Sequence, residues 1–360
     1  MKIAFVLGTR PEIIKLAPVI FSCQQQKIPF ILIHTGQHYS YAMDQLFFEE
    51  LGLPKAHHHL KLEPSSRQGE QTAHMMMGVE DVLLQERPDV VLVEGDTNSV
   101  LVGALCASKL HIPIGHVEAG LRSFDRTMPE ELNRIVTDHL SDFLYAPTTL
   151  AQTHALREGI SQEKILVTGN TIVDAVNLFK ERAQQSSFLK NYNLSKRQYF
   201  LVTAHRAENV DHQNKLQHIF ESLRLVAEQY HQPIIYPLHP RTKKFIEQYH
   251  IQVPQQVTLT DPLGFFDFLQ AEMHARLVLT DSGGVQEETS ILGVPCVTLR
   301  DNTERPETLH VGSNVLAGTD PQRILSAVHQ MLTKHQSWQH PFGDGKTAAR
   351  ILQHLQSVFS

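Results

Sequence analysis

The sequence predicts an α/β protein of two doubly wound domains, and three observations support this. Short apolar, β-branched runs alternate with helix-length segments along most of the chain, the pattern of parallel strands joined by helical crossovers. At 360 residues the chain exceeds what one hydrophobic core usually organises. The alternation also pauses once, around Gly169-Asn170-Thr171, and resumes after a polar helical stretch over 174–196. The domain boundary is therefore set there, giving domains of 1–170 and 171–344. The closing helix, 345–360, could pack on either and is assigned to the first.

In the first series, strands are expected at 3–7, 30–33, 89–93, 112–117, 143–145 and 165–167. Helices are expected after 3–7, where Pro11 sits in the first turn, at 71–85, and from Pro129 onward. The second series places strands at 199–202, 233–236, 257–259, 277–279, 296–299 and 314–316. In open parallel sheets ligands bind beyond the carboxyl ends of the strands, so a cleft faced by both sets of strand ends is the expected site.

The segments at those ends carry chemistry. Arg10 lies in the turn after the first strand and Lys15 one helical turn farther on, a fork and a mobile point charge suited to a diphosphate. The run ARLVLTDSGGVQEETSILGVP reads as strand, glycine turn and helix. Ser282 is a good N-cap there, Gly283 and Gly284 let backbone N–H groups approach an anion at the positive helix end, and Glu288 can accept from a ribose diol. Asp96, Glu118 and Glu130 add carboxylates in the first half. Glu130 and Arg134 stand i, i+4 apart, ordinarily a surface ion pair worth ~0.3–0.5 kcal/mol.

Composition excludes several classes. A formal charge of −6 with 19% charged residues and no long basic block argues against nucleic acid as a partner. No apolar run is long enough to cross a bilayer. Cys23, Cys106 and Cys296 are scattered, and MKIAFVLGTRPE lacks a signal-peptide core, so a reduced cytoplasm is the expected compartment. The His57-His58-His59 cluster, beside a proline and without helical ligand spacing, reads as a solvated loop. Gly8-Thr9-Arg10 does not continue as G-x-G-x-x-G after the first strand, which argues against a nicotinamide dehydrogenase.

Taken in order, GTRPEIIK, HTGQH, EGDTN, HVEAGLRS, MPEELNR, TAHRAEN, PLHPR, TDSGGVQEE and TERPE resemble the non-hydrolysing UDP-N-acetylglucosamine 2-epimerases, from Lys2 to about Gly318. The resemblance implies a GT-B-like fold of two Rossmann-like domains, with no metal, nicotinamide or other cofactor. It implies inversion at C2 of a UDP-sugar through elimination of UDP to a 2-acetamidoglucal and re-addition. Arg10, Lys15, Asp96, Glu118, Glu130 and His205 match catalytic or diphosphate-contacting positions. Ser282, Gly283 and Glu288 match nucleotide-binding positions, with Gly284 beside them, and Phe268 falls where the family stacks an aromatic near uracil. Gln37, Arg67, Gln68, Arg206 and His239 lie in motifs resembling the surroundings of a regulatory sugar site. The loop between Gly120 and Pro129 is shorter than in the best-known bacterial representatives. It resembles a branch that epimerises UDP-2,3-diacetamido-2,3-dideoxy-glucuronic acid, whereas the intact TERPE segment resembles the UDP-N-acetylglucosamine enzymes. The expected partners are a UDP-sugar and a second copy of the chain in a homodimer. A GT-B glycosyltransferase, a hydrolysing epimerase and a catalytically silent UDP-sugar sensor are the competing readings; the carboxylate set disfavours the first, and no carboxylate has been lost to suggest the sensor.

Overall fold

The computed structural model describes residues 1–37, 47–61, 67–334 and 337–359. They form two compact units, Met1–Leu178 with Phe342–Ser360, and Phe179–Pro341.

The first unit holds a parallel seven-stranded sheet: β1 (Ile3–Leu7), β2 (Phe30–His34), β3 (His58–His59), β4 (Val90–Glu94), β5 (Ile114–Val117), β6 (Phe143–Ala146) and β7 (Ile165–Val167), in the order β3-β2-β1-β4-β5-β6-β7. The second holds a parallel six-stranded sheet: β8 (Phe200–Thr203), β9 (Ile234–Pro237), β10 (Val257–Thr260), β11 (Leu277–Thr280), β12 (Cys296–Thr298) and β13 (Asn314–Leu316), in the order β10-β9-β8-β11-β12-β13. Strand order reverses at β1/β4 in one sheet and at β8/β11 in the other, the switch points where such sheets open a crevice.

The central strands β1, β4, β5, β8, β11 and β12 are short, largely apolar and covered. β1 is buried throughout, and Ala4, Val6, Val91 and Val93 pack under Val79, Leu83 and Val100 from the crossover helices Gln68–Glu86 and Asn98–Lys109. Each fully buried aliphatic side chain contributes roughly 1.5–3 kcal/mol. The final helix, Thr347–Val358, belongs to the first unit: Ile351, Leu352 and Leu355 are buried, and the Thr347 and Ala348 N–H groups donate to the Asp174 carboxylate.

Three sequence expectations change. The His57–His59 segment is no solvated loop, because it adds β3 to the sheet edge. Leu32 N–H donates to His57 Nδ1, the His59 ring stacks on His34 at 4.7 Å, and His58 Nε2 lies 2.8 Å from Glu86. The polar stretch over 174–196 is broken into Thr171–Gln184 and Phe188–Asn191, since the Gln270 side-chain amide donates to the carbonyls of Ala183, Gln184 and Ser186. The strand expected from 112 starts at Ile114: His111 turns left-handed (φ 57°) and Ile112 N–H returns to Ala107 O.

Candidate active site

The turn after β1 is built around a buried acid. Glu12, in the first turn of helix Arg10–Gln26, accepts from Gly8 N–H at 2.6 Å and from the Thr9 and Thr97 hydroxyls, tying this turn to the one after β4. Burial pushes its carboxyl up to about 7 despite those donors. Gly8 has no room for a side chain, because a Cβ would stand 2.1 Å from Thr35 Oγ1 and 2.3 Å from Ser99 Oγ. Arg10, half-buried, lies over the Phe47 ring at 5.4 Å.

Lys15 is buried on helix Arg10–Gln26. Its ammonium contacts Glu118 Oε2 directly and stands 3.5 Å from Glu94 Oε1, with all three side chains at most 7% exposed. Asn170 Nδ2 donates to the same Glu118 oxygen at 3.0 Å. Glu118 directly follows β5 in the left-handed region (φ 68°), unusual for a residue with a side chain. Arg122 is not its partner, for it pairs with Asp138 and Glu158. Burial raises the Glu94 carboxyl well above the usual range; Lys15 opposes this, and Glu118, Glu12 and Asp96 reinforce it.

Helix Pro129–Leu140 grips the turn after β4. Arg134 forks onto Asp96 Oδ2 at 2.7 and 3.0 Å and contacts Glu131, so the Glu130–Arg134 pairing suggested by spacing gives way to Glu131–Arg134. Asn133 Nδ2 donates to Asp96 O at 2.9 Å. Glu131 also accepts from Ser123 N–H and Phe124 N–H, ordering the short loop before Pro129. Glu130 is half-buried in the helix's first turn.

Of the residues assigned to a regulatory site, Gln37 Oε1 accepts from Ser99 N–H and Oγ, and Gln68 Oε1 accepts from Asn98 Nδ2 at 2.9 Å, both at the start of helix Asn98–Lys109. Arg67 precedes the helix carrying Gln68. His38 of the HTGQH segment lies outside the described residues.

In the second unit the turn after β8 is organised by Asp281. This fully buried carboxylate accepts from the N–H groups of His205 and Arg206 at 3.0 Å and from Asn209 Nδ2 at 3.1 Å, and lies 3.4 Å from His205 Nδ1. The rings of His205 and His239 sit 5.5 Å apart, and His239 caps helix Pro240–Gln248 by accepting from Arg241 N–H. Arg206 approaches Glu304, which is held by Arg300, while Arg305 contacts Glu287.

Ser282 occupies the N-cap position of helix Gly283–Leu292, but its hydroxyl makes no capping bond, contrary to expectation. Its own N–H donates to Thr280 Oγ1, which draws the turn back toward β11. Gly283 and Gly284 open the helix, and Glu288 lies half-buried on it. Burial and the charge of Glu288 hold the Glu272 carboxyl well above the usual range. Phe268 is partly buried against the cluster containing Val285.

Sequence reasoning singled out neither Glu12, Glu94 nor Asp281. Glu94 and Asp281 each end an otherwise apolar strand run, a signal that was present in the sequence.

The chain matches the family model described as UDP-N-acetylglucosamine 2-epimerase over residues 22–356. It is 51% identical over 362 residues to the UDP-N-acetylglucosamine 2-epimerase of Methanocaldococcus jannaschii, covering 99% of each chain. A crystal structure of that organism's UDP-GlcNAc 2-epimerase in complex with UDP-GlcNAc and UDP matches with a TM-score of 0.94 at 50% identity, covering 99% of this chain and 100% of that one. The UDP-2,3-diacetamido-2,3-dideoxy-D-glucuronate 2-epimerase of Pseudomonas aeruginosa is 42% identical over 362 residues, with 99% of this chain and 100% of that one covered. The expected GT-B-like class is borne out by the two parallel α/β sheets and by this likeness. Carboxylates gathered at strand ends in one unit, a glycine-led helix start in the other and a match over almost the whole chain lead to one conclusion: the protein is a member of the UDP-N-acetylglucosamine 2-epimerase family.

Proposed function

We propose that the protein interconverts UDP-N-acetylglucosamine and UDP-N-acetylmannosamine. Glu118 takes the proton from C2 as the bond from C1 to the β-phosphate oxygen breaks, giving 2-acetamidoglucal and UDP. The same UDP then re-adds at C1 while an acid, from Asp96 or Glu130, protonates the other face of C2. The observation that carries this reading is Glu118, a buried carboxylate at a strand end, held by Lys15 and Asn170 in a backbone conformation that fixes its direction. Arg10 and His205 meet the charge developing on the leaving diphosphate, the N-terminus of helix Gly283–Leu292 faces the phosphates, and Glu288 takes the ribose diol. Phe268 supports the uracil, and Gln37, Arg67, Gln68, Arg206 and His239 bind a second, regulatory UDP-sugar.

Incubation in D2O with UDP-N-acetylglucosamine, followed by NMR, tests this. UDP-N-acetylmannosamine with deuterium at C2 is expected; product without deuterium, or turnover of UDP-2,3-diacetamido-2,3-dideoxy-glucuronic acid alone when that sugar nucleotide is supplied in a parallel incubation, overturns it.

The protein is also proposed to be a cytoplasmic homodimer. Its three cysteines are unpaired and buried, and Met77 and Leu84, seven residues apart on helix Gln68–Glu86, are exposed at 64% and 55%. Light scattering that gives a monomer mass at micromolar concentration would refute the dimer.

A further inference from the structure

We propose that Glu94 is a positioning residue of the epimerisation centre, a neutral carboxylic acid that braces Lys15 and leaves the negative charge to Glu118. The inference rests on the reading of Glu118 as the group that meets C2.

Charge counting leads there first. One ammonium, Lys15, stands between two carboxyl groups, and none of the three has more than a sliver of solvent contact. Helix Arg10–Gln26 adds the acid Glu12, and the turn that follows Glu94 adds Asp96, whose charge Arg134 answers, so Glu12, Glu94 and Glu118 still outnumber the one ammonium. Adjacent carboxylates deprived of water do not all keep their charge, and a proton settles on the one with the poorest supply of donors.

The donors identify that group. Glu118 Oε2 receives both the Lys15 ammonium and the Asn170 amide. Glu94 Oε1 is buried without a hydrogen-bond partner, and the ammonium stays 3.5 Å away. The anion therefore belongs on Glu118 and the proton on Glu94. Burial acts in the same direction, holding the Glu94 carboxyl well above the usual range.

The arrangement has a chemical consequence. While Glu94 is neutral, Lys15 is committed to Glu118 and holds it in place. Once Glu94 ionises on the alkaline side, the ammonium is shared between two anions, Glu118 is held less firmly, and negative charge accumulates near the departing UDP. Glu94 thus sets the alkaline limit of turnover without touching substrate.

Infrared difference spectra of the whole protein near neutral pH decide the protonation without any assay. Glu94→Gln should remove one protonated-carboxyl C=O band, and Glu118→Gln should leave that band in place. Glu94→Met, similar in volume, is the second variant if Glu94→Gln fails to fold. A band that survives both Glu94 variants but disappears in Glu118→Gln overturns the proposal.

The kinetic arm uses the pH profile. Glu94→Gln should abolish the alkaline limb of kcat. Glu94→Ala, which removes the brace, should lower kcat about 10-fold with KM within about 3-fold, and glutamine should recover most of that loss. An unmoved pH profile accompanied only by a lower Tm would reduce Glu94 to a structural role and overturn the proposal. If the wild type epimerises no UDP-sugar, the functional reading and the positioning role fail together, while the infrared result still places the proton.

Discussion

Among individual residues, Glu118 carries the sharpest consequence. Its Oε2 is bound by a cation and an amide, so glutamine at this position keeps the shape but can no longer accept a proton. Glu118→Gln is expected to abolish deuterium entry at C2 while UDP affinity, measured by calorimetry, changes by less than about 3-fold. A proportionate loss of affinity and turnover would mean that the carboxylate only holds the turn. Glu12 makes a different prediction. Its carboxyl is raised by burial from the ordinary range to about 7 in the folded protein. At acid pH it is protonated in both folded and unfolded chains. As pH rises, the unfolded chain loses the proton first, so this stability contribution is lost between the ordinary carboxylate range and about 7. The loss amounts to about 3 kcal/mol, at ~1.4 kcal/mol for each tenfold change in proton affinity. Denaturant titrations across that window should show stability falling with pH in the wild type and a flatter profile in Glu12→Gln; parallel profiles would contradict the assignment.

Among the elements, the loop from Gly120 to Met128 and helix Pro129–Leu140 form one assembly. Glu131 orders the loop, Arg134 and Asn133 reach the turn after β4, and Gly120 N–H donates to Asp138 Oδ2. Gly120 has φ 83°, and a Cβ there would stand 2.3 Å from Ala151 O, part of a backbone that cannot step aside cheaply. Gly120→Ala is therefore expected to destabilise by more than about 1 kcal/mol and to lower kcat, since Glu118 lies two residues away. An unchanged melting temperature would show that the loop absorbs the methyl group. The glycine was legible in sequence as a turn residue, but its crowding against Ala151 was not, because that neighbour is supplied by a separate helix.

On the scale of the whole molecule, the candidate residues divide between two units that fold around separate sheets, and the single tryptophan makes the division measurable. Trp338 donates from Nε1 to Ser290 O at 2.9 Å on helix Gly283–Leu292, which also carries Glu288. UDP should therefore change tryptophan fluorescence. Glu288→Ala should weaken the titration about 10-fold or more, whereas Glu118→Gln should leave its midpoint within about 3-fold. Equal shifts in both variants would argue against assigning the nucleotide to the second unit.

The sequence by itself determined the alternation of strand and helix, and with it the placement of Arg10, Asp96, Glu118, His205 and Ser282 just beyond strand ends. Those features depend on apolar periodicity and turn chemistry, which act over a few residues. Only the tertiary structure decided which charges meet. Lys15 and Glu118 are 103 residues apart in the chain, and Asn170 lies 52 beyond Glu118. The same holds for the exchange of Glu130 for Glu131 as the partner of Arg134, the edge strand at His58–His59 and the uncapped Ser282. Protonation of Glu12 and Glu94 likewise depends on the water removed by remote segments and the donors they bring. Desolvation and charge pairing are properties of the packed neighbourhood, so local sequence could mark these acids as candidates but could not say which of them keeps its proton.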